Sequence, residues 1–492
     1  MNRPSSLATL LLAATLSPLG AQSLGARIDH RLDAPGLDRL LWGVTVTDTT
    51  GKVLYERNGD RLFIPASNTK LVVTITAATL LGTSFTVTTS VYGTGPVIDG
   101  TLQGNLVLYG RGDPTFSNRC YDIDTTRAGV CDHNPASKLD TLAQALHARG
   151  IRVIAGDLIG DGSYFEPTLV HPDWENYDLG WWYAAPVSGL GFNDNAVDVH
   201  EVASDSAGRP AQITLAPDVG AFTLDNRAVL GLHSDTRTFD LFRSADGLTY
   251  LATGVLPRGI PDKTEFAAIK DPARYAALAF RRALLAAGIT VRGGTRSTFD
   301  SLAFVAARLT TPLAEVRSRP LSDWLVPILN TSQNWFAEML LKQVARQRGT
   351  NGSWSEGCRI ERRFLIDSVG VDSTAFSLDD GSGLAAANLI SPHAFTQLLR
   401  FVRQRPAWTA FAAGLPQSGK PGSLKDRFVR TPLEGRVRAK TGTITHVATL
   451  SGYVERPDGN TLIFSVMANH HTLSNSRIIA AIDSVVLALG KP

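Results

Sequence analysis

The sequence predicts a mixed α/β fold of the α+β kind: helices packed around an antiparallel sheet, interrupted by a strand-rich insertion. Three observations carry this. Near the N-terminus, Trp42 to Asp48 and Thr50 to Tyr55 read as two strands about Gly51, followed by a helical run from Ser67 to Leu81 with no breaker before Gly82. The C-terminal part alternates: a strand over Gly435 to Lys440, then Ala448 to Val454 and Asn460 to Asn469 as a hairpin around Pro457-Asp458-Gly459. The amphipathic stretch Ser476 to Leu489 closes the chain as a helix laid on that sheet.

Between these parts the residues change character. Phe85 to Tyr92, Gly104 to Leu108, Ile151 to Asp157, Ala211 to Leu215, Val229 to Leu232, Thr249 to Val255 and Ser301 to Leu309 read as short strands. Leu139 to Ala148 and Pro272 to Gly288 read as helices. No repeat and no low-complexity linker separates this interval from the rest, so it is expected to fold against the core. The expected division is a core of residues 22–86 and 301–492 and an insertion of 87–300. The insertion is expected in two parts, 87–112 with 185–300, and 113–184. Helical periodicity returns over Ser322 to Leu329 and Asn334 to Arg348, with Asn330-Thr331-Ser332 as a break between them.

Composition bounds the function. A chain of 492 residues with 43% hydrophobic and 19% charged residues can bury a substantial core. The formal charge of +3 shows no clustered basic stripe and argues against a nucleic-acid partner. Arg3, the apolar run Leu7 to Leu16 and Leu19-Gly20-Ala21 form a secretory leader with a cut before Gln22, so residues 1–21 are expected to be removed. No later run approaches the length of a membrane span. An exported, soluble, periplasmic protein is expected. Cys120 and Cys131 could close a small disulfide loop in that compartment, leaving Cys358 as a buried free thiol.

The chemistry is concentrated in three short motifs. Ser67 and Lys70, the only Ser-x-x-Lys pair in the chain, share one helix face a turn apart. That spacing suits a serine nucleophile whose proton is taken by an amine, with a helix N-terminus beneath to favour a developing oxyanion. Ser332-Gln333-Asn334 and Lys440-Thr441-Gly442-Thr443 follow in order. Singly, Ser67 and Ser332 could be helix caps and Lys440-Thr441-Gly442 a strand end. Together the three form a known signature of serine acyl-transferring enzymes.

On these motifs the chain resembles the D-alanyl-D-alanine carboxypeptidases of the penicillin-binding protein group, in the low-molecular-mass family with a large insertion (class C type). Further stretches carry the resemblance: Gly112-Asp113-Pro114, Gly160 to Phe165, Tyr183 to Ser188, Asp380-Gly381-Ser382-Gly383-Leu384, Gly422 to Phe428 and Leu450 to Val454. The resemblance implies a β-lactamase/DD-peptidase-like core and cleavage of peptidoglycan stem peptides ending in D-Ala-D-Ala, with or without endopeptidase action. It also implies acylation by β-lactams and no metal or organic cofactor. By the same resemblance Ser67 would be the acylated nucleophile and Lys70 its general base, with a pKa depressed by burial beside Lys440. Ser332 would relay a proton to the leaving amine, and Asn334 would hold a peptide group. Lys440, with the hydroxyls of Thr441 and Thr443, would meet the substrate carboxylate. Gly442 would leave the strand edge open to a peptide. The backbone N–H groups of Ser67 and Thr443 would form the oxyanion hole. A departure is Ala385-Ala386-Ala387, where family members often carry a polar or basic residue.

Two other readings remain open to the sequence: a β-lactamase or esterase on the same core, and a non-catalytic peptidoglycan-binding protein. His470-His471 has no third metal ligand at a regular spacing, and Arg111-Gly112-Asp113 lies in one of the family-like stretches. Asp379-Asp380 reads as the start of a turn near the site.

Overall fold

The computed structural model describes residues 23–116, 134–203 and 208–490. The leader and the Cys120–Cys131 pair expected from the sequence lie outside the described residues. Cys358 is a free cysteine, partly buried against the core.

At the centre is a five-stranded antiparallel sheet of β1 (Leu41–Asp48), β2 (Val53–Arg57), β3 (Val437–Ile444), β4 (Val447–Glu455) and β5 (Thr461–Asn469). Its order is β2-β1-β5-β4-β3. The two ends of the chain meet in it, Val44 of β1 opposite Val466 of β5. Around it stand α1 (Leu24–Leu32), α2 (Thr69–Leu80), α3 (Leu321–Leu329), α4 (Asn334–Arg348), α5 (Pro392–Arg403) and α6 (Asn475–Leu489).

The period of two along β5 sorts its side chains between two cores. Leu462, Phe464 and Val466 join Ile28, Leu32, Ile478, Ile482 and Val485 under α1 and α6. Ile463 and Met467 face the other way, toward Phe395, Leu398 and Leu399 of α5 and the apolar residues of α2. A sheet covered on both faces explains strands that are buried almost end to end. The tail helix lies on the sheet, as the sequence predicts.

Helix α2 is dominated by β-branched residues, which are weak helix formers. Packing on all sides holds it: every residue from Thr69 to Ala78 is buried, among α3, α4 and α5. Burying Leu71, Val72, Val73 and Ile75 contributes about 1.5–3 kcal/mol each. Thr74 and Thr79 satisfy their hydroxyls on the carbonyls of Lys70 (2.6 Å) and Ile75 (2.7 Å). The central helix thus starts at the Ser67 turn and runs straight into the core.

In the interval, a five-stranded sheet takes the order 295–298, 158–161, 106–109, 88–93, 314–317. The amphipathic helix Pro272–Ala286 packs on it. Smaller sheets form from 196–202 with 212–216 and 263–268, and from 223–226, 240–243 and 249–253. This grouping departs from the expected division. The edge strand Ala314–Arg317 belongs with 88–93, so the insertion's sheet runs past residue 300. Strand 158–161 pairs with 106–109, which puts residues from both expected parts into one sheet.

Three expected strands are also redrawn. Ile151 to Asp157 supplies only Val153–Ile154, in a different sheet from the next strand, Leu158–Asp161. Thr249 to Val255 is cut at Gly254, where φ is +87° and a Cβ would press on the main chain of Thr238. Ser301 to Leu309 is not a strand: Phe304 takes φ 53° and Val305–Arg308 is a short helix. The curl is organised by Arg308, which donates to Asp161 (2.7 Å) and to the carbonyls of Ala303 (2.7 Å) and Ser301 (2.6 Å). Leu302 and Leu309, which look like strand residues, are 81% and 83% exposed. Among the described residues no helix is long and apolar enough to cross a membrane.

Candidate active site

Ser67 lies on a tight 3-10 turn, Ala66–Asn68, immediately before α2. The turn is fixed to the sheet from several sides. Asn68 Nδ2 donates to Ser451 Oγ at 2.7 Å, and Thr449 Oγ1 donates to the Pro65 carbonyl at 2.9 Å, both from β4. Gly442 of β3 sits so close that a Cβ there would meet Thr449 Oγ1, the Pro65 carbonyl at 2.7 Å and the Ser67 nitrogen at 3.1 Å. A larger residue would push the turn off the sheet. The turn therefore presents Ser67 in one place.

Lys70, in the first turn of α2, is fully buried and its three ammonium hydrogens are directed. Nζ donates to Ser67 Oγ at 2.8 Å, Asn334 Oδ1 at 2.7 Å and the Ser382 carbonyl at 2.7 Å. Ser67 and Lys70 thus meet as their spacing predicts. Asn334 opens α4, and the preceding break places Ser332 with φ 64°. Gln333 caps α4 by accepting from the Trp335 nitrogen at 3.1 Å, so Ser332 is not the cap. Ser332 Oγ instead accepts from Lys440 Nζ at 2.9 Å, and Lys440 also donates to the Thr441 carbonyl at 2.8 Å. Thr441 Oγ1 donates to Ser423 Oγ at 3.2 Å, and Thr443 is exposed. Strand β3, which carries these last residues, is the edge of the sheet.

Burial lowers the pKa of Lys70 from 10.5 to about 7, although Asp380 and Glu338 favour its charged form. The sequence expectation assigns this depression to Lys440 as well; burial produces it. Lys440 is held well below its ordinary value, by burial first and by the neighbouring Lys70 second. An amine with a pKa near neutrality, in hydrogen-bond contact with a serine hydroxyl, can act as a general base. A second buried amine at the open strand edge would gain from an incoming carboxylate.

Several participants escape sequence reasoning. The Ser382 carbonyl belongs to the loop after Asp380, and that loop is held by two buried carboxylates. Asp380 accepts from the Gly383 nitrogen (2.7 Å), the Ala385 nitrogen (2.8 Å), Asn388 Nδ2 (2.8 Å) and Trp174 Nε1 (3.0 Å). Glu338 accepts from the nitrogens of Ser382 and Gly381. Glu338 lies four residues beyond Asn334, on the inward face of a predicted helix, and that position was the available signal. Ala385, the first of the three alanines after Leu384, is buried under this loop. The insertion contributes too: Asn334 Nδ2 donates to the Tyr183 carbonyl at 2.8 Å, and Trp335 Nε1 to the Pro186 carbonyl at 3.1 Å.

The remaining candidates lie elsewhere. Arg111 donates to the Thr88 carbonyl (2.8 Å) and Ser90 Oγ (2.7 Å), and Asp113 accepts from Lys138 (2.7 Å), all within the insertion. His470 and His471 belong to neither of the His/carboxylate clusters found among the described residues.

The profile of the D-Ala-D-Ala carboxypeptidase 3 (S13) family matches residues 24–489. A D-alanyl-D-alanine carboxypeptidase of Actinomadura sp. (strain R39) is 34% identical, over 99% of this chain and 90% of that protein. The D-alanyl-D-alanine carboxypeptidase DacB of Haemophilus influenzae is 24% identical over 86% of this chain and 83% of its own length. The crystal structure of penicillin-binding protein 4 (dacB) from Haemophilus influenzae superposes with a TM-score of 0.79 at 22% identity, covering 94% of this chain and 99% of that one. The same protein complexed with a β-lactam gives 0.72 at 21% identity, covering 94% and 97%.

Proposed function

Because the chain belongs to the D-Ala-D-Ala carboxypeptidase 3 (S13) family and is a serine peptidase hydrolase, we propose that Ser67 carries its acyl-enzyme and that Lys70 is the base. The observation that carries this is the 2.8 Å contact between Lys70 Nζ and Ser67 Oγ, with Lys70 near neutrality through burial. In this reading Ser67 Oγ attacks the carbonyl carbon of the penultimate D-Ala while Lys70 takes the hydroxyl proton. The oxyanion is met by the backbone N–H groups of Ser67 and Thr443; what supports this is the close approach of Gly442, the neighbour of Thr443, to the Ser67 turn. The C–N bond breaks as a proton reaches the leaving amine through Ser332, whose hydroxyl bridges toward Lys440. Free D-Ala departs carrying the proton that Lys70 had taken. Water then attacks the ester, giving up a proton that passes through Lys70 to Ser67 Oγ as the new carboxyl group leaves.

The substrate lies along the outer edge of β3 beyond Ala439, where the bridge of Gln417 to Arg438 ends, its terminal carboxylate at Lys440 and the hydroxyls of Thr441 and Thr443. Its arrival favours the charged form of Lys440, which burial otherwise opposes. Asn334 orients Lys70 and the substrate's peptide group. A β-lactam presents an amide next to a carboxylate as the peptide does, but strained in its ring, and its leaving amine stays tethered, so the ester persists. The biological substrate is the peptidoglycan stem peptide, and the leader over residues 1–21 directs the chain to the periplasm.

The test is release of free D-Ala from a peptide ending in D-Ala-D-Ala by the mature protein and by Ser67→Ala. Release that vanishes in the variant is the expected result. Peptide left intact while a penicillin is steadily hydrolysed would favour a β-lactamase. Peptide binding without release, equal in both proteins, would favour a non-catalytic binder.

A further inference from the structure

We infer that Glu338 is a positioning residue for the reaction: it holds the Gly381–Ser382 main chain so that the Ser382 carbonyl fixes Lys70 against Ser67. The inference rests on the reading of Lys70 as the base. Glu338 is fully buried, one helical turn beyond Asn334 on α4, so two residues of the same helix face bear on Lys70. Its Oε1 accepts from the Ser382 nitrogen at 2.7 Å. Its Oε2 accepts from the Gly381 nitrogen at 3.0 Å and from Trp354 Nε1 at 2.8 Å. The carbonyl of that same Ser382 residue accepts a hydrogen bond from Lys70 Nζ at 2.7 Å. The carboxylate, the Ser382 main chain on either side of its Cα, and the ammonium form a short chain of contacts, and only the last member touches the nucleophile.

A simple structural anchor would use either end of this chain of contacts without caring about charge. Here the acceptor set demands a carboxylate. All three donors to Glu338 are N–H groups with no acceptor function of their own, so a glutamine would turn its NH2 toward at least one of them. The charge also reaches the reacting amine. Lys70 is faced by Asp380 and Glu338, which favour its protonated form against the burial that opposes it. Glu338 in turn is faced by Asp380, by Lys342 on its own helix, and by Glu361 and Cys358 of the helix Trp354–Arg363. Burial, and the neighbouring Asp380, push its own pKa upward.

The test is the pH profile of penicillin acylation for the wild type, Glu338→Gln and Glu338→Asp, with thermal unfolding of each. Glu338→Gln should lower the plateau rate by about tenfold, the loss expected when one ground-state positioning bond is misdirected, and should move the acid limb to lower pH. The sign follows from Lys70 losing both a negative neighbour and a well-aimed carbonyl, each of which favours its charged form. Glu338→Asp keeps the charge but is one methylene short of the loop; it should keep the limb near its wild-type position and lose plateau rate. If Glu338→Gln does not fold, the aspartate variant alone decides. A folded variant with wild-type plateau and limb, or a loss of rate with the limb unmoved in Glu338→Gln, overturns the inference. Absence of acylation in the wild type would instead strike the reading of Ser67 and Lys70.

Discussion

Asn334 donates from Nδ2 to the main-chain carbonyl of Tyr183 at 2.8 Å, so the second motif of the core is tied directly to the insertion. The other end of the same carboxamide accepts from Lys70. The insertion is thereby part of the wall that orients the base, and its neighbours repeat the pattern: Gln343 Nε2 reaches the Gly112 carbonyl at 2.9 Å and Lys342 Nζ the Thr168 carbonyl at 2.9 Å.

Asn334→Asp tests that double role. A carboxylate beside Lys70 would favour the ammonium and lose the donor to Tyr183. The acid limb of acylation should move to higher pH, opposite in sign to Glu338→Gln. Stability should fall by about 1–3 kcal/mol from the Tyr183 carbonyl left facing an acceptor. A pH profile identical to the wild type would contradict it.

The pH dependence of the wild type follows from Lys70. With a value of about 7 and activity carried by the neutral amine, the second-order acylation constant should rise about tenfold per pH unit below neutrality and level off above it. Stopped-flow measurement with a chromogenic cephalosporin gives the profile. A rate flat down to pH ~5 would exclude a base titrating near neutrality.

Gly442→Ala probes the close approach of β3 to the nucleophile turn. Its methyl would meet the Pro65 carbonyl at 2.7 Å and the Ser67 nitrogen at 3.1 Å. Overpacking of this kind costs about 1–3 kcal/mol, and acylation should fall by at least about tenfold because Ser67 moves. Urea unfolding and the acylation rate read the two effects separately; neither changing would contradict the packing argument.

Glu166→Gln tests the buried pair beside the site. Lys342 is fully buried, 3.1 Å from Glu166 Oε1 and over the Trp354 ring, and burial lowers it to about 8. Between about 8 and its unfolded value of 10.5 the unfolded chain binds more protons, so this group's contribution to stability rises with pH across that window. Without Glu166 the folded value drops further. The variant should lose about 1.5–3 kcal/mol at pH ~6.5 and much less at pH ~10, where Lys342 is neutral in both proteins. Equal losses at both pH values would contradict this.

The parts of the fold legible in the sequence are those where one local rule dominates. The Ser67–Lys70 contact follows from helical spacing, and the β4–β5 hairpin from alternation around Pro457-Asp458-Gly459. What was hidden depends on tertiary partners. Ser301 to Leu309 alternates like a strand, but Arg308 finds Asp161, distant in sequence, and curls the segment into a helix. The sequence shows the loop after Asp380 as a turn near the site, but not that Glu338 holds it or that Lys70 donates to its Ser382 carbonyl. The Arg308–Asp161 pair and the bonds from Glu338 and Lys70 to the Ser382 main chain join residues far apart in sequence, and no local pattern encodes them.

The central claim, that Ser67 forms the acyl-enzyme with Lys70 as its base, is tested most directly by intact mass after mixing the mature protein with benzylpenicillin. The account predicts one covalent adduct on the wild type, no adduct on Ser67→Ala, and a greatly slowed adduct on Lys70→Ala. An adduct of equal extent on Ser67→Ala, or no adduct on the wild type with the penicillin left intact, would contradict it.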